Sequence, residues 1–162
     1  MSRCKDSILE IISNEPITLM NLRYETNCAF ETVNKYVDEL ESAGKITHKK
    51  GKFKIFYNPK LELEQIEFFE IMLNNSVRTV LLTLMHAKNK SQNQLVAELS
   101  KSHPTISRTL QILQDHDIIE RNFHAPFRTY SIKDKLKIIS FMKDTHPRLV
   151  DQMTDNISEM FI

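Results

Sequence analysis

The hydrophobic positions of this chain follow one pattern that occurs twice. Residues 5–57 align with residues 78–130 at a constant offset of 73 residues and without a gap. The matched apolar positions are Leu22, Leu40, Ile46 and Tyr57 in the first copy and Leu95, Leu113, Ile119 and Tyr130 in the second. An internal repeat of this kind indicates one supersecondary unit present in two copies.

Each copy begins with two predicted helices. In the first copy Ile8, Leu9 and Ile12 have helical spacing, and this helix should end before Pro16 because proline cannot continue it. A hydroxyl residue then stands at the expected N-cap of a second helix, Thr18 in the first copy and Ser91 in the second. Ser91 and the glutamine three residues later also have capping-box spacing.

A longer amphipathic third helix follows a short polar turn. Its apolar positions are Val33, Val37 and Leu40 in the first copy and Ile106, Leu110 and Leu113 in the second. Gly44 is the expected C′ residue of the first of these helices, and Asp117 takes that place in the second. Two helices joined by a short turn form a helix-turn-helix unit.

Alternating residues after the third helix predict a two-stranded hairpin, or wing. The strands are expected at residues 46–48 and 53–57 and at residues 118–120 and 127–130, with a tight turn at residues 50–52. The predicted fold class is mainly α with small β-hairpins (α+β), built from two tandem winged helix-turn-helix domains. The expected boundaries are a first domain at 1–60, a linker helix at 61–75, a second domain at 76–132 and C-terminal helices at 133–162.

Several segments of the second copy carry a family resemblance. Residues 102–110, the following Leu113, residues 117–119 and the strand at 128–130 are similar to the recognition helix and wing of bacterial and archaeal winged-helix regulators of the ArsR and MarR type. Residues 75–78 resemble the opening of an ArsR-like domain, and residues 3–58 resemble a generic winged helix. The resemblance implies a DNA-binding regulator. Members ordinarily carry one such unit per chain, so it stays open whether both copies contact DNA.

The third helix of the second copy presents hydroxyl and basic groups and has no acid between His103 and Gln114. An arginine on such a helix can contact guanine or a phosphate, and hydroxyls mostly contact phosphates. The residues expected to contact DNA in this copy are Ser102, His103, Thr105, Ser107, Arg108, Gln111, Arg121 and Arg128. A solvated helix face that binds nothing is the alternative interpretation.

The first copy combines an acidic third helix with a basic wing. Glu31, Asp38 and Glu39 would repel phosphates, whereas the wing lysines would attract them. The residues expected to contact DNA here are Thr32, Asn34, Lys35, Lys49, Lys50, Lys52 and Lys54. A hairpin edge protected by lysines against aggregation is the alternative. We hypothesise that the second copy reads sequence and that the first supplies phosphate contacts.

Two further helical stretches lie outside the copies. Residues 61–73 have an apolar face too wide for a lone surface helix, and an apolar stripe follows Pro147 near the C-terminus. We expect these helices to pack together and to form a homodimer interface; packing within one chain is the alternative. The expected interface residues are Ile66, Phe69, Leu73, Leu149, Met153, Ile157 and Met160.

Charge, hydropathy and cysteine content bear on the partners and the location of the protein. The net charge is only +1, but local field rather than total charge guides a polyanion, and five lysines crowd into residues 45–54. The chain has no apolar run of roughly 20 residues and no leader pattern, so we expect a soluble, cytoplasmic protein without a membrane partner. The two cysteines, Cys4 and Cys28, suggest a reducing compartment and no disulfide; a redox role for Cys28 is the alternative.

No catalytic pattern stands out. The only glycines are Gly44 and Gly51, so there is no Gly-rich phosphate loop, and the six histidines lack metal-ligand spacing. We therefore predict a non-enzyme with no cofactor or metal. The leading expectation is a homodimeric, sequence-specific regulator of transcription that binds double-stranded DNA; any small-molecule effector is unknown. The competing expectation is a protein-binding scaffold, which should expose an apolar patch on its recognition helix, whereas a DNA binder should show a continuous positive surface.

Overall fold

A computed structural model describes residues 3–124 and 126–147 of the chain. Over those residues it confirms the α+β fold class, with eight helices and two small antiparallel sheets. The chain divides into two compact units, and their described parts are residues 3–66 with 142–147 (unit 1) and residues 67–124 with 126–141 (unit 2).

Unit 1 contains the helix-turn-helix of the first copy and a small sheet. Its elements are α1 (Arg3–Asn14), β1 (Ile17–Thr18), α2 (Leu19–Thr26), α3 (Phe30–Ser42), β2 (Thr47–Lys50) and β3 (Lys54–Tyr57). The sheet has the order β1-β3-β2, with Ile17 opposite Phe56 and Lys50 opposite Lys54. Strand β1 was not predicted, because two residues are too few to show an alternating pattern. Phe53, expected in the second strand, instead lies before the start of β3.

The first core is the one that the apolar pattern predicts. Helices α1, α2 and α3 and strand β3 contribute side chains that are almost completely buried. They are Ile8, Ile12, Leu22, Val33, Val37, Leu40 and Phe56, joined by Ile46 from the segment before β2. This core holds α3 with one face inward, and it therefore fixes which residues of α3 face the solvent.

Unit 2 repeats the same order of elements. They are α5 (Asn75–Met85), α6 (Gln92–Leu99), α7 (His103–Asp115), β4 (Ile119–His124) and β5 (Phe127–Ile132). Lys90 makes an isolated antiparallel bridge with Tyr130, at the position where Ile17 of β1 stands in the first copy. The β4–β5 hairpin pairs six residues on each side, so both strands are longer than predicted.

Backbone conformations recur at the same offset. Asn27 and Ser100 adopt left-handed conformations at the ends of α2 and α6, with φ of 53° and 52°. Gly44 and Asp117 do so after α3 and α7, with φ of 73° and 58°. Left-handed backbone favours glycine and is tolerated by asparagine and aspartate. The prediction that Asp117 replaces Gly44 at the end of the third helix is therefore confirmed.

Side-chain caps fix the starts of the helices. The Thr18 hydroxyl accepts from the backbone N–H of Asn21, and Ser91 forms the predicted capping box with Gln94. The Ser102 hydroxyl accepts from the N–H of Thr105 at the start of α7. Its counterpart in the first copy, Ala29, offers no side-chain cap to α3.

The expectation of two unpaired cysteines is wrong. Cys4, near the start of α1, forms a disulfide with Cys28, which lies in the turn between α2 and α3, and the two Cα atoms are 6.3 Å apart. Helix α1 packs against both helices of the helix-turn-helix, which brings the two thiols together. Their separation of 24 residues gives no sign of this contact, because it arises only in the folded unit. The alternative of a free redox-active thiol at Cys28 does not hold in this state.

Helix α4 (Leu63–Met72) and helix α8 (Lys135–Thr145) contact one another. The rings of Phe68 and Phe141 lie 5.8 Å apart, and the Gln65 amide donates to Asp144 over 2.7 Å. This packing within one chain is the alternative that the sequence left open.

The chain itself already covers part of the expected dimer surface. Ile66 and Phe69 are 0% and 7% exposed, and Leu73 is half-buried. Ile66 and Phe69 are therefore covered within the single chain, and their place in a homodimer interface stays a prediction. The other expected interface residues, Leu149, Met153, Ile157 and Met160, lie outside the described residues.

Candidate nucleic-acid interface

Helix α7 shows an apolar face and a polar face. Its buried residues Ile106, Leu110 and Leu113 recur at helical spacing and belong to the core of unit 2. This packing turns the opposite face outward. On that face four of the predicted residues are exposed, namely His103, Ser107, Arg108 and Gln111.

Arg108 is the central basic group of this face. Its Nε donates to the Pro104 carbonyl oxygen one turn earlier, at 3.3 Å, which directs the side chain towards the start of the helix. Over the described part of the chain Arg108 has no ion pair, so its charge is not neutralised by a neighbouring carboxylate. The guanidinium is therefore suited to a phosphate or to a guanine edge.

Three of the predicted residues, one at the N-cap and two within α7, use their side chains in bonds with neighbouring residues. The Ser102 hydroxyl caps the helix and also donates to the Thr105 hydroxyl at 2.9 Å. The Gln111 amide donates to the Asp115 carboxylate at 2.8 Å. These groups would have to exchange or share those bonds in order to contact DNA. The side chains of His103, Ser107 and Arg108 are the more accessible ones for such a contact.

The second wing carries two arginines and two exposed aromatic rings. Arg121 and Arg128 are both exposed, and Arg128 lies opposite Phe123 in the register of the hairpin. Phe123 and Phe127 are 69% and 66% exposed. The prediction placed the arginines in the interface but did not assign the rings to it.

An open groove of about 750 Å³ lies between this wing and the helix-turn-helix of unit 2. Phe127, Arg128 and Thr129 form the wall on the wing side. The start of α6 and the first residue of α7 form the other wall, with the side chains of Gln92, Asn93, Gln94 and His103. The groove therefore joins the recognition helix to the wing.

The first copy presents a different surface on α3. Thr32 and Asn34 are only partly exposed, and the Lys35 ammonium lies 5.5 Å from the centre of the Tyr36 ring. Glu31 and Asp38 are exposed on the same helix. These carboxylates remain a barrier to phosphates.

The lysines of the first wing are not all equally available. Lys50 and Lys52 are exposed, whereas Lys49 and Lys54 are half-buried. Lys50 and Lys54 face each other across the hairpin, an arrangement of like charges that an anion would relieve. The Lys52 ammonium lies 5.6 Å from the centre of the Phe53 ring.

Sequence reasoning missed an apolar patch on the first helix-turn-helix. Met20, Tyr24 and Phe30 are 77%, 86% and 46% exposed, and the Arg23 guanidinium lies 4.7 Å over the Phe30 ring. Their counterparts in the second copy are Asn93, Ala97 and His103. The repeat alignment contained this signal, because the same three positions are apolar in one copy and mostly polar in the other. The surface of the first copy is therefore not continuously positive.

An ion pair fixes the end of α7. The ammonium of Lys133 donates to the carboxylate of Asp117. This hydrogen bond and the attraction between the charges lower the pKa of Asp117 and raise the pKa of Lys133. Both groups are exposed, so the effect is sensitive to salt.

The described ranges contain neither a membrane-spanning helix nor a cluster of metal ligands. Among residues 3–124 and 126–147 no helix has the length and apolar character needed to cross a membrane. Across the same ranges no three or more histidine, cysteine, aspartate or glutamate side chains are grouped so that they could hold a metal ion.

Comparison with known families identifies the first copy. A family model described as winged helix-turn-helix matches residues 5–72, which comprise that copy and α4. These residues are similar to that family, and their three helices and hairpin have the order of a winged helix-turn-helix, a class that includes nucleic-acid-binding modules. The match falls on the first copy, not on the second copy that carried the resemblance to ArsR-type regulators. A comparison with curated proteins gave no significant match.

Three solved structures show distant likenesses to this chain. The chain covers 63% of a chain in the endosomal complex ESCRT-II, at 15% identity over 83% of this chain and with a TM-score of 0.34. It covers 99% of a hypothetical protein, PyrSV_gp04, from Pyrobaculum spherical virus, at 15% identity over 83% of this chain and with a TM-score of 0.40. It covers 100% of the mRNA-binding domain of elongation factor SelB from E. coli, solved with SECIS RNA, at 14% identity over 83% of this chain and with a TM-score of 0.30. None of these likenesses is close enough to assign a function.

Proposed function

We propose that this protein is a sequence-specific, DNA-binding regulator of transcription of the ArsR/MarR-like kind, with a tandem of two winged-helix domains. The observation that carries the proposal is the exposed face of α7, where Arg108 has no ion pair among the described residues and no acid stands between residues 103 and 114. A helix of this kind in the major groove would read base edges with its first turns. The arginines of the second wing would contact the adjacent phosphates.

The two copies would make different kinds of contact with DNA. The second copy reads sequence through Arg108 and Ser107, and the first copy adds phosphate contacts through the exposed Lys50 and Lys52. The acidic surface of α3 is the reason for not assigning base readout to the first copy. This division predicts two distinguishable mutant phenotypes.

An anisotropy titration against random duplexes and duplexes selected for binding, at two salt concentrations, tests the proposal. Arg108→Ala should weaken binding to the selected duplex by about 1–3 kcal/mol and reduce the preference for that duplex over random ones. Lys50→Ala with Lys52→Ala should weaken binding to all duplexes by the same factor. It should also reduce the slope of log affinity against log salt concentration by the value expected for up to about two phosphate contacts. Identical behaviour of the two variants would disprove the division, and the absence of duplex binding by the wild type would disprove the function.

A protein-binding scaffold is the second candidate, and one observation favours it. A scaffold is expected to expose an apolar patch on its recognition helix, and the exposed patch of Met20, Tyr24 and Phe30 lies on α2 and at the start of α3. Met20→Ser with Tyr24→Ser should leave DNA binding unchanged if the regulator proposal is right. A scaffold would lose its protein partner in that variant and would be indifferent to Arg108→Ala.

A cytoplasmic location follows from the proposed DNA target and stays part of the proposal. The Cys4–Cys28 disulfide is of a kind that persists in oxidising environments and weighs against this part of the proposal. Thiol alkylation of the protein directly after lysis measures whether the bond is present in the cell.

A further inference from the structure

The second wing presents one aromatic ring on each side of its hairpin. Phe123 lies in β4 opposite Arg128, so these two side chains share a face. Phe127 is the neighbour of Arg128 in β5, and successive side chains of a strand point to opposite faces. Both rings are about two-thirds exposed, and their burial by a partner would be favourable.

The surroundings of the rings suit an anionic partner. Residues 121–131 include Arg121 and Arg128 and no carboxylate. The first wing differs, because its basic groups are lysines and its one turn aromatic, Phe53, lies close to the Lys52 ammonium. The second wing therefore combines positive charge with flat apolar surface. Contacts to phosphates alone would not require the aromatic rings.

The groove beside Phe127 adds hydrogen-bonding groups. Asn93 and Gln94 line it with side-chain amides, which can both donate and accept. Phe127 therefore lies beside amides that can contact a base edge, and Phe123 shares the other face of the hairpin with Arg128, which can contact a phosphate.

We propose that the second wing binds unstacked nucleobases by stacking them on Phe127 and Phe123. The preferred ligand is then a duplex with a locally unpaired or opened segment. This inference rests on the proposed nucleic-acid function and specifies the form of nucleic acid that unit 2 takes.

The physical reason is the accessibility of base faces. In a fully paired duplex each base face is covered by its neighbours, so a ring can reach it only where a step has been opened. Opening a step costs about a few kcal/mol, and a segment that is already unpaired avoids this cost. The wing should therefore bind an opened duplex more tightly than a paired one of the same length and charge.

The test measures anisotropy for two labelled duplexes of equal length, one fully paired and one with a central run of mismatches. The full-length wild type should prefer the mismatched duplex. Phe123→Ala with Phe127→Ala should weaken binding to the mismatched duplex by about 5- to 150-fold for each stacked base. This factor corresponds to about 1–3 kcal/mol per base. The fully paired duplex should be affected much less.

Two further variants separate stacking from general apolar contact and from misfolding. Phe123→Leu with Phe127→Leu keeps apolar side chains but removes the flat rings, and it should also lose the preference. Leu136→Ala is the matched control, because Leu136 is an exposed apolar residue of unit 2, at 80% exposure, on α8 instead of the wing. It should bind both duplexes as the wild type does. Melting temperatures of all variants should match that of the wild type, since these side chains are exposed.

The possible results separate this inference from the proposed function. Equal affinity of the wild type for both duplexes, with no effect of the phenylalanine variants, would overturn the base-stacking role and leave duplex binding intact. An equal loss for both duplexes in the phenylalanine variants would also overturn it, because the rings would then contact the backbone. Failure of the wild type to bind either duplex would overturn the proposed function and this inference together.

Discussion

At the scale of single residues, the two copies differ most where they face the solvent. Their buried positions are interchangeable: Leu22 and Leu95 are both 0% exposed, and Val33 and Ile106 likewise. Their exposed positions are not, since Phe30 of the first copy stands where the second has His103. A core position accepts only apolar groups of suitable size, whereas a surface position is free to follow function.

This difference limits what single residues reveal in the sequence. The core residues were predictable because helical spacing identifies them directly. The outward direction of Arg108 followed from the same spacing. The pairing of Cys4 with Cys28, the partner of Gln111 and the exposure of Met20 were not predictable, because each depends on where a second element lies in space.

Asp117 allows a prediction at this scale about pH. Its pKa in the folded state is lowered from the ordinary 3.8 by the hydrogen bond and charge of Lys133, so its stabilising effect is present above that value and is lost as the pH falls through the folded pKa. The pKa of Lys133 is raised from 10.5, so its part is present below that value and is lost as the pH rises through the folded pKa.

The measurement is chemical denaturation of wild type and Asp117→Asn at low salt over a range of pH. Asparagine tolerates the left-handed backbone at this position and removes only the charge. The wild type should be the more stable protein at neutral pH, and the difference should disappear in acid. A difference that is the same at every pH would show that the ion pair has no part in it.

At the scale of elements, the helices were easier to predict than the strands. The capping box at Ser91 and the ends of α3 and α7 were found because caps have residue-specific chemistry at fixed spacing. The short strand β1 and the bridge at Lys90 carry no pattern of their own, since their partners are far away in the sequence. The length of β4 was underestimated because residues 121–123 are mostly exposed and show no alternation of apolar and polar residues.

Helices α3 and α7 permit a matched test of capping. Ser102 caps α7 with its hydroxyl, and Ala29 at the equivalent place gives α3 no side-chain cap. We expect Ser102→Ala to lower the free energy of unfolding by about 1 kcal/mol and Ala29→Ser to raise it by a similar amount. Denaturant titrations of both variants provide the values. Changes of the same sign in the two variants would contradict this account of the caps.

The disulfide ties α1 to the turn before α3 and should stabilise unit 1. A cross-link that closes a loop of this size contributes about 3 kcal/mol, largely by restricting the unfolded chain. We therefore expect Cys4→Ser with Cys28→Ser to unfold at lower denaturant concentration than the oxidised wild type. Wild type reduced by a dithiol is the control and should behave like the double variant. Equal stability of the oxidised and reduced proteins would show that the bond contributes nothing.

At the scale of the whole molecule, total charge is a poor guide. The net charge of +1 does not show that the two copies differ in local charge. The exposed face of α7 has no acid between residues 103 and 114, whereas the surface around α3 is acidic and partly apolar. The recurrence of the same element order was predictable from the sequence, because the spacing of apolar residues is the same in residues 5–57 and 78–130. The assignment of a role to each copy needed the exposure of individual side chains, which only the fold determines.

Self-association is a prediction at this scale. The apolar stripe of Leu149, Met153, Ile157 and Met160 is the remaining expected dimer surface, since Ile66 and Phe69 are covered within the chain. Light scattering at micromolar concentration should give about twice the chain mass of 19.0 kDa. Met153→Asp with Ile157→Asp should reduce it to the mass of one chain. A wild type that already has the mass of a single chain would reject the homodimer.

The most direct test of the account is to map where DNA contacts the protein. Amide spectra of the 15N-labelled protein would be recorded as a selected duplex is added. The account predicts that the largest shifts fall on residues 103–111 and on the second wing around Arg121 and Arg128, with smaller shifts near Lys50 and Lys52. Shifts concentrated on Met20, Tyr24 and Phe30 with none on α7, or no shifts at all, would contradict it.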